Sequence, residues 1–101
     1  MSILVMFDLP VGTELERKNY RLFRKHLIKS GFLMLQESVY CKMMTSPSME
    51  KSMKNMVHNN KPPKGLIQTI TITEKQFVKM DYIVGEYTSD IIDSEERLII
   101  L

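Results

Sequence analysis

Apolar and polar positions along the chain fall into short blocks of alternating period. Ser2–Asp8 (SILVMFD) is a run of β-formers closed by Leu9-Pro10-Val11-Gly12, which predicts a strand followed by a turn. Ile3, Val5 and Phe7 share one face of it and Leu4 and Met6 the other. A strand apolar on both faces sits centrally in its sheet and needs cover on each side. Thr13-Glu14-Leu15-Glu16 has the form of a capping box, so a helix follows, with Gly31 suited to stop it. Tyr20, Phe23 and Leu27 give that helix an apolar face. Phe32–Leu35 and Ser38–Met44 predict two strands joined tightly near Gln36-Glu37. Ser46-Pro47 opens a second helix, whose buried face is marked by Met49, Met53, Met56 and Val57. Asn59-Asn60-Lys61-Pro62-Pro63-Lys64-Gly65 ends it. Leu66–Thr73 alternates as a strand with one apolar face, and Thr73-Glu74-Lys75-Gln76 is a second capping box, opening a short helix that ends near Met80. Tyr82–Glu86 reads as a short strand, 88–96 as a polar acidic stretch, and Arg97–Leu101 as a final strand.

The order β-α-β-β-α-β defines an α+β, ferredoxin-like (split βαβ) domain over 1–101, with an extra short helix and a C-terminal strand. Such a sheet carries both helices on one face and leaves the other bare. An apolar central strand forbids a wet bare face, and an apolar strand at the end of the chain invites pairing. Both point to a face-to-face homodimer, with the tail 88–101 completing the dimer or a partner interface.

Length and composition narrow the class. The chain has 101 residues, 44% hydrophobic and 26% charged, which is one domain with a modest core and excludes global disorder. Its longest apolar run, Ile3–Phe7, is far short of the ~20 residues of a membrane helix. No secretory signal is visible, and a single cysteine, Cys41, permits neither an internal disulfide nor a cysteine zinc site. The expectation is a reduced, cytoplasmic protein away from membranes.

The net charge of +2 conceals an asymmetry. Residues 1–65 hold eleven Lys/Arg against five Asp/Glu, and 66–101 hold three against seven. On the first helix Arg17, Lys18, Arg21, Arg24, Lys25 and Lys29 gather opposite the apolar face with no anion among them. That arc suits phosphate oxygens, with Lys42, Lys61 and Lys64 as further candidates, and predicts salt-sensitive, sequence-tolerant binding. The competing reading is a solvated helix face.

Asp8 ends the first strand with the parity of Leu4 and Met6, and so points to the expected dimer interface. Two such carboxylates near a two-fold axis repel unless a divalent cation or shared proton relieves them. Magnesium held there could activate water for phosphodiester cleavage, with Asp8 as both metal ligand and catalytic residue. The plainer reading is that Asp8 opens the Asp-Leu-Pro turn. Ser38, Tyr40 and Lys42 share a strand face and could position a phosphate, though ordinary strand residues explain them as well. Cys41 reads as a small buried hydrophobe, His26 and His58 as unrelated lone histidines, and the methionines as core filler or a soft interface. No glycine-rich phosphate loop, Ser/His/Asp set or zinc spacing is present.

Phe7-Asp8-Leu9-Pro10, then Glu16-Arg17-Lys18-Asn19-Tyr20-Arg21-x-Phe23-Arg24-Lys25, then Gly31-Phe32 and Gln36-Glu37-Ser38-Val39-Tyr40, resemble the CRISPR-associated Cas2 family. Thr71-x-Thr73-Glu74-Lys75-Gln76-Phe77 and Arg97-Leu98-Ile99-Ile100 resemble its type II-A branch. The resemblance spans essentially the whole chain in order. It implies a ferredoxin-like homodimer that acts in spacer acquisition, bridging two dimers of the Cas1 integrase, with double-stranded DNA lying across the assembly and held by basic residues of the first helix. It also implies a metal-site aspartate, which falls on Asp8, and the metal-dependent endonuclease activity on RNA or DNA often described for members, which the integration role is thought not to need. One departure is Phe7, where the wider family often has Tyr. Two further readings compete at the fold level. An RRM-like sheet-face RNA binder lacks the aromatics it needs, and no motif favours a ligand-sensing regulatory domain.

Overall fold

The computed structural model describes residues 1–86. The expected final strand at Arg97–Leu101 and the tail 88–101 lie outside the described residues. Seven elements follow in order: β1 (Ser2–Asp8), α1 (Glu14–Lys29), β2 (Leu33–Gln36), β3 (Val39–Met43), α2 (Pro47–Asn59), β4 (Leu66–Ile72) and α3 (Glu74–Val78). The strands form one antiparallel sheet in the order β2-β3-β1-β4. That is the ferredoxin-like arrangement, with β1 central as its doubly apolar sequence requires.

The helix starts follow from their caps. Thr13 accepts from the Glu16 amide while Glu16 Oε1 accepts from the Thr13 and Gly12 amides, closing the capping box at α1. Ser46 caps α2 with Pro47 in the first turn, and Thr73 with Gln76 repeats the box at α3. Helix α1 ends at Ser30, after which Gly31 takes φ +92° and Phe32 donates back to the Leu27 carbonyl.

Register decides which side chains meet. Ile3, Val5 and Phe7 lie opposite Lys42, Tyr40 and, across β4, Thr71, Thr69 and Ile67. This face packs with Phe23 and Leu27 of α1 and with Val57, Met49, Met53 and Met56 of α2 into one core, so both helices cover the same side of the sheet. Its centre is aromatic: Phe7 meets Phe23 edge-on at 5.2 Å, Tyr20 at 6.0 Å, and stacks on Tyr40 at 5.7 Å. Thr71 donates to Glu50 Oε2 at 2.6 Å and ties α2 to β4, and Lys54 pairs with the same carboxylate oxygen at 3.1 Å.

The other sheet face carries Leu4 and Met6, Val39, Cys41 and Met43, and Leu66, Ile70 and Ile72. The apolar side of β4 thus faces away from the helices. Met43 is 63% exposed, Leu66 55% and Ile70 50%. The short strand expected at Tyr82–Glu86 does not form among the described residues: the chain bends at Ile83 and Val84, both exposed. Gly85 holds φ +87°, outside the extended region a strand needs. The short helix stops at Val78, two residues before the expected Met80.

Candidate nucleic-acid interface and acidic strand end

Asp8 is the last residue of β1, paired with Leu66, exposed, and on the open face with Leu4 and Met6. Its backbone is braced from the next loop. Gly65 holds φ +106°, and a Cβ there would stand 2.9 Å from the Asp8 carbonyl oxygen and 2.7 Å from Leu9 Cδ2. On the other side the Phe7 amide donates to the Ser38 carbonyl at 3.0 Å, extending the β1–β3 ladder to the strand end. Among the described residues no three His, Cys, Asp or Glu side chains gather closely enough to hold a metal ion.

Phe7, the departure from the wider family, is buried and points into the aromatic cluster, on the face opposite Asp8. A hydroxyl at this position would enter the core beneath α1 rather than approach the Asp8 carboxylate.

The cations of α1 are not equivalent. Lys18, Arg21, Lys25 and Lys29 are exposed, as are Arg17 and Arg24, but these last two are held by neighbours. Arg17 Nη1 donates to the Val11 carbonyl at 3.1 Å, and Arg24 Nε donates to the Tyr40 hydroxyl at 2.5 Å. Tyr40 is fully buried, and burial pushes its phenol up from the ordinary value, partly offset by the Arg24 bond. Arg24 is in turn raised, chiefly by that bond. Near neutral pH the pair is a neutral phenol accepting from a cation. Lys42 stands apart from the arc: its ammonium lies over Gly31, 2.5 Å from where a Cβ would be, at the negative end of the α1 dipole.

Tyr40 and Lys42 share the helix-covered face and Asp8 the open one, so the three do not form a common site. Tyr40 and Lys42 do share a face of β3, as their spacing predicts, but it is the one the helices cover. This placement also removes Tyr40 from any base-stacking surface on the open sheet. The Arg24–Tyr40 bond was not foreseen. Its only sequence signal is that Tyr40 falls opposite Val5, which requires the β1–β3 register. Cys41 is buried on the open face, and burial pushes its thiol up to about 11, so it is a protonated, unreactive group.

A cleft of about 170 Å³ separates the start of α1 from the 62–64 loop, with Leu9, Pro10, Leu15, Tyr20, Pro62 and Pro63 in its wall. Glu16, in its wall, accepts through Oε1 from the Gly12 and Thr13 amides in the capping box. Among the described residues no helix is long and apolar enough to cross a membrane.

Fold and surfaces define a class: a small ferredoxin-like α+β protein with an open apolar sheet and an outward basic helix. The match to known proteins is specific. The family model for CRISPR associated protein Cas2 covers residues 1–80. A Treponema denticola protein named CRISPR-associated endoribonuclease Cas2 is 46% identical over 101 residues, spanning 100% of both chains. A protein of the same name from Streptococcus mutans is 45% identical over 101 residues, 100% of this chain and 93% of its own. A crystal structure of Streptococcus pyogenes Cas2 at pH 6.5 aligns with TM-score 0.66 at 20% identity, over 83% of this chain and 100% of that one, a likeness of fold. This chain belongs to the Cas2 family.

Proposed function

We propose that this protein is the CRISPR adaptation subunit of its system: a homodimer that bridges two dimers of the Cas1 integrase and holds duplex DNA on the basic arcs of its first helices. One observation carries the reading. The open apolar sheet and the cationic arc of α1 lie on opposite sides of the molecule, because Phe23 and Leu27 turn the other side of α1 into the core. Pairing two sheets face to face leaves both arcs outside, where a continuous polyanion can reach them. The tail 88–101, with its apolar ending, is assigned to completing that interface or the one with Cas1.

A second reading rests on Asp8, exposed at the strand end, and on the endoribonuclease name its relatives bear. Magnesium is held through one or two carboxylates with waters filling the remainder. Asp8 supplies one carboxylate from each chain, so the pair would fit such an ion where the two copies meet at the dimer axis. Bound there, the ion would polarise a phosphate oxygen and acidify a water. The chain's own contribution is a carboxylate held at a fixed point by the β1–β4 ladder and by Gly65 against its carbonyl.

One experiment separates the two readings. Binding of a labelled DNA duplex, integration with Cas1 and magnesium-dependent cleavage of RNA and DNA are measured for wild type, for Arg17→Glu/Arg21→Glu/Arg24→Glu, and for Asp8→Asn. The bridging reading expects the triple variant to lose duplex binding and Asp8→Asn to integrate normally. Duplex binding by the triple variant at moderate salt would sink it. Loss of both integration and cleavage in a dimeric Asp8→Asn would make the carboxylate central.

A further inference from the structure

The three arginines on one side of α1 differ in how they are held. Arg21 has no hydrogen-bond partner among the described residues, Arg17 is tied to a backbone carbonyl, and Arg24 is tied to a side chain from a different element. Tyr40 reaches Arg24 from β3, through the gap beside Phe7, against which its ring is stacked. The ring is fully buried and packed, so the hydroxyl position is fixed by the core and not by the surface. The bond uses Nε, the inner donor of the guanidinium. The four N–H groups on Nη1 and Nη2 stay available on an exposed side chain.

We propose that Tyr40 is a positioning residue for nucleic-acid binding: its buried hydroxyl holds Arg24 by Nε and presents the outer edge of the guanidinium, ready for two-pronged contact with a backbone phosphate. The proposal rests on the reading of the α1 arc as a nucleic-acid surface. An arginine on a free stem loses much rotamer freedom when it engages a phosphate, whereas one already held loses less. Arg17 and Arg24 are seven residues apart, about 10.5 Å along the axis. Both held arginines thus lie on the same side of α1, with the freer Arg21 between them. Burial of Tyr40 also explains why the device belongs to the core: the hydroxyl needs a partner where water is excluded, and Arg24 is that partner.

The test is a double-mutant cycle on binding of a fluorescein-labelled mixed-sequence DNA duplex, with a single-stranded RNA of the same sequence as a second probe. Variants are Tyr40→Phe, Arg24→Ala and both together, each measured across a salt series. Tyr40→Phe keeps the ring stacked on Phe7 and is expected to weaken duplex binding about 3- to 10-fold. The slope of affinity against salt stays that of wild type, because Arg24 still reaches its phosphate. Arg24→Ala lowers affinity and reduces the slope by about one charge. In the Arg24→Ala background, Tyr40→Phe then has no further effect. A Tyr40→Phe loss of equal size with and without Arg24 would show a merely structural role and overturn the proposal. So would wild-type affinity in Tyr40→Phe. If Arg24→Ala itself binds both probes like wild type, the nucleic-acid reading of this residue falls first and the proposal with it. A measurement free of nucleic acid guards against a poorly folded variant: the Arg24 Nε–H resonance of the wild-type protein should be resolved, slowly exchanging and ordered. A rapidly exchanging, mobile Nε–H would refute the holding bond outright.

Discussion

Gly65 shows how much can hang on one missing atom. At φ +106° it occupies a region that side chains rarely adopt, and it lies so close to Leu9 and the Asp8 carbonyl that a Cβ meets atoms at 2.7 and 2.9 Å. Gly65→Ala must shift either the 62–65 loop or the end of β1, at a cost of about 1–3 kcal/mol. For a domain of this size the melting temperature should fall by roughly 4–8 °C per kcal/mol. Thermal denaturation checks this, and a midpoint unchanged from wild type would show that the loop yields freely. At the same scale the sequence located Asp8 correctly, since parity along an unbroken strand is local information: Leu4, Met6 and Asp8 share a face whatever their neighbours do. Tyr40 was not legible in that way. Its face depends on pairing with Val5, and nothing near Tyr40 in the chain encodes that partner.

Helix starts were readable because their signals are short-range. Thr13 with Glu16, Ser46 with Pro47, and Thr73 with Gln76 each satisfy their own amides within one turn. Ends and edges were less so. The run Tyr82–Glu86 has strand composition, but no strand pairs with it among the described residues, and composition without a partner does not make a strand. Contacts between elements lie beyond local reading altogether, and the α2–β4 tie is the clearest case. Glu50 is held below its ordinary carboxylate value, first by the Thr71 hydroxyl and then by Lys54. A depressed folded-state pKa contributes stability that is present above the unfolded value and lost as pH falls through the folded one. Thr71→Val should therefore melt lower than wild type near neutral pH. The difference should shrink from about pH 4.5 downward, since the variant gives up the bond the carboxylate needs. A gap in melting temperature that stays constant down to pH 3 would place the effect of Thr71 in packing instead.

At the scale of the whole molecule the open sheet is the unsolved surface of a single chain. Leu4, Met6, Met43, Leu66, Ile70 and Ile72 sit together, with Met43, Leu66 and Ile70 half exposed or more, and contiguous apolar surface of this kind marks an interaction face. In the proposed homodimer a second copy of the same sheet would cover it isologously, each β4 supplying the apolar side that faces away from its own helices. Ile70→Glu is the decisive change. Because Ile70 is 50% exposed in the single chain, a carboxylate there can stay hydrated in the monomer, yet it would be buried beside a like charge or an apolar neighbour in a dimer. Light scattering should give twice the chain mass for wild type at micromolar concentration and the single mass for Ile70→Glu, which should still unfold cooperatively but at a lower temperature because the dimer no longer stabilises it. A monomeric wild type, or a variant that still dimerises, would remove the sheet as the interface. The same variant separates the two surfaces. Its α1 arc is untouched, so it should still bind duplex DNA weakly and with the salt dependence of one arc, whereas the proposed bridging of two integrase dimers, which would use both arcs at once, should be lost. Strong bridging by a monomer would mean that the basic helix acts alone and that the open face serves another partner.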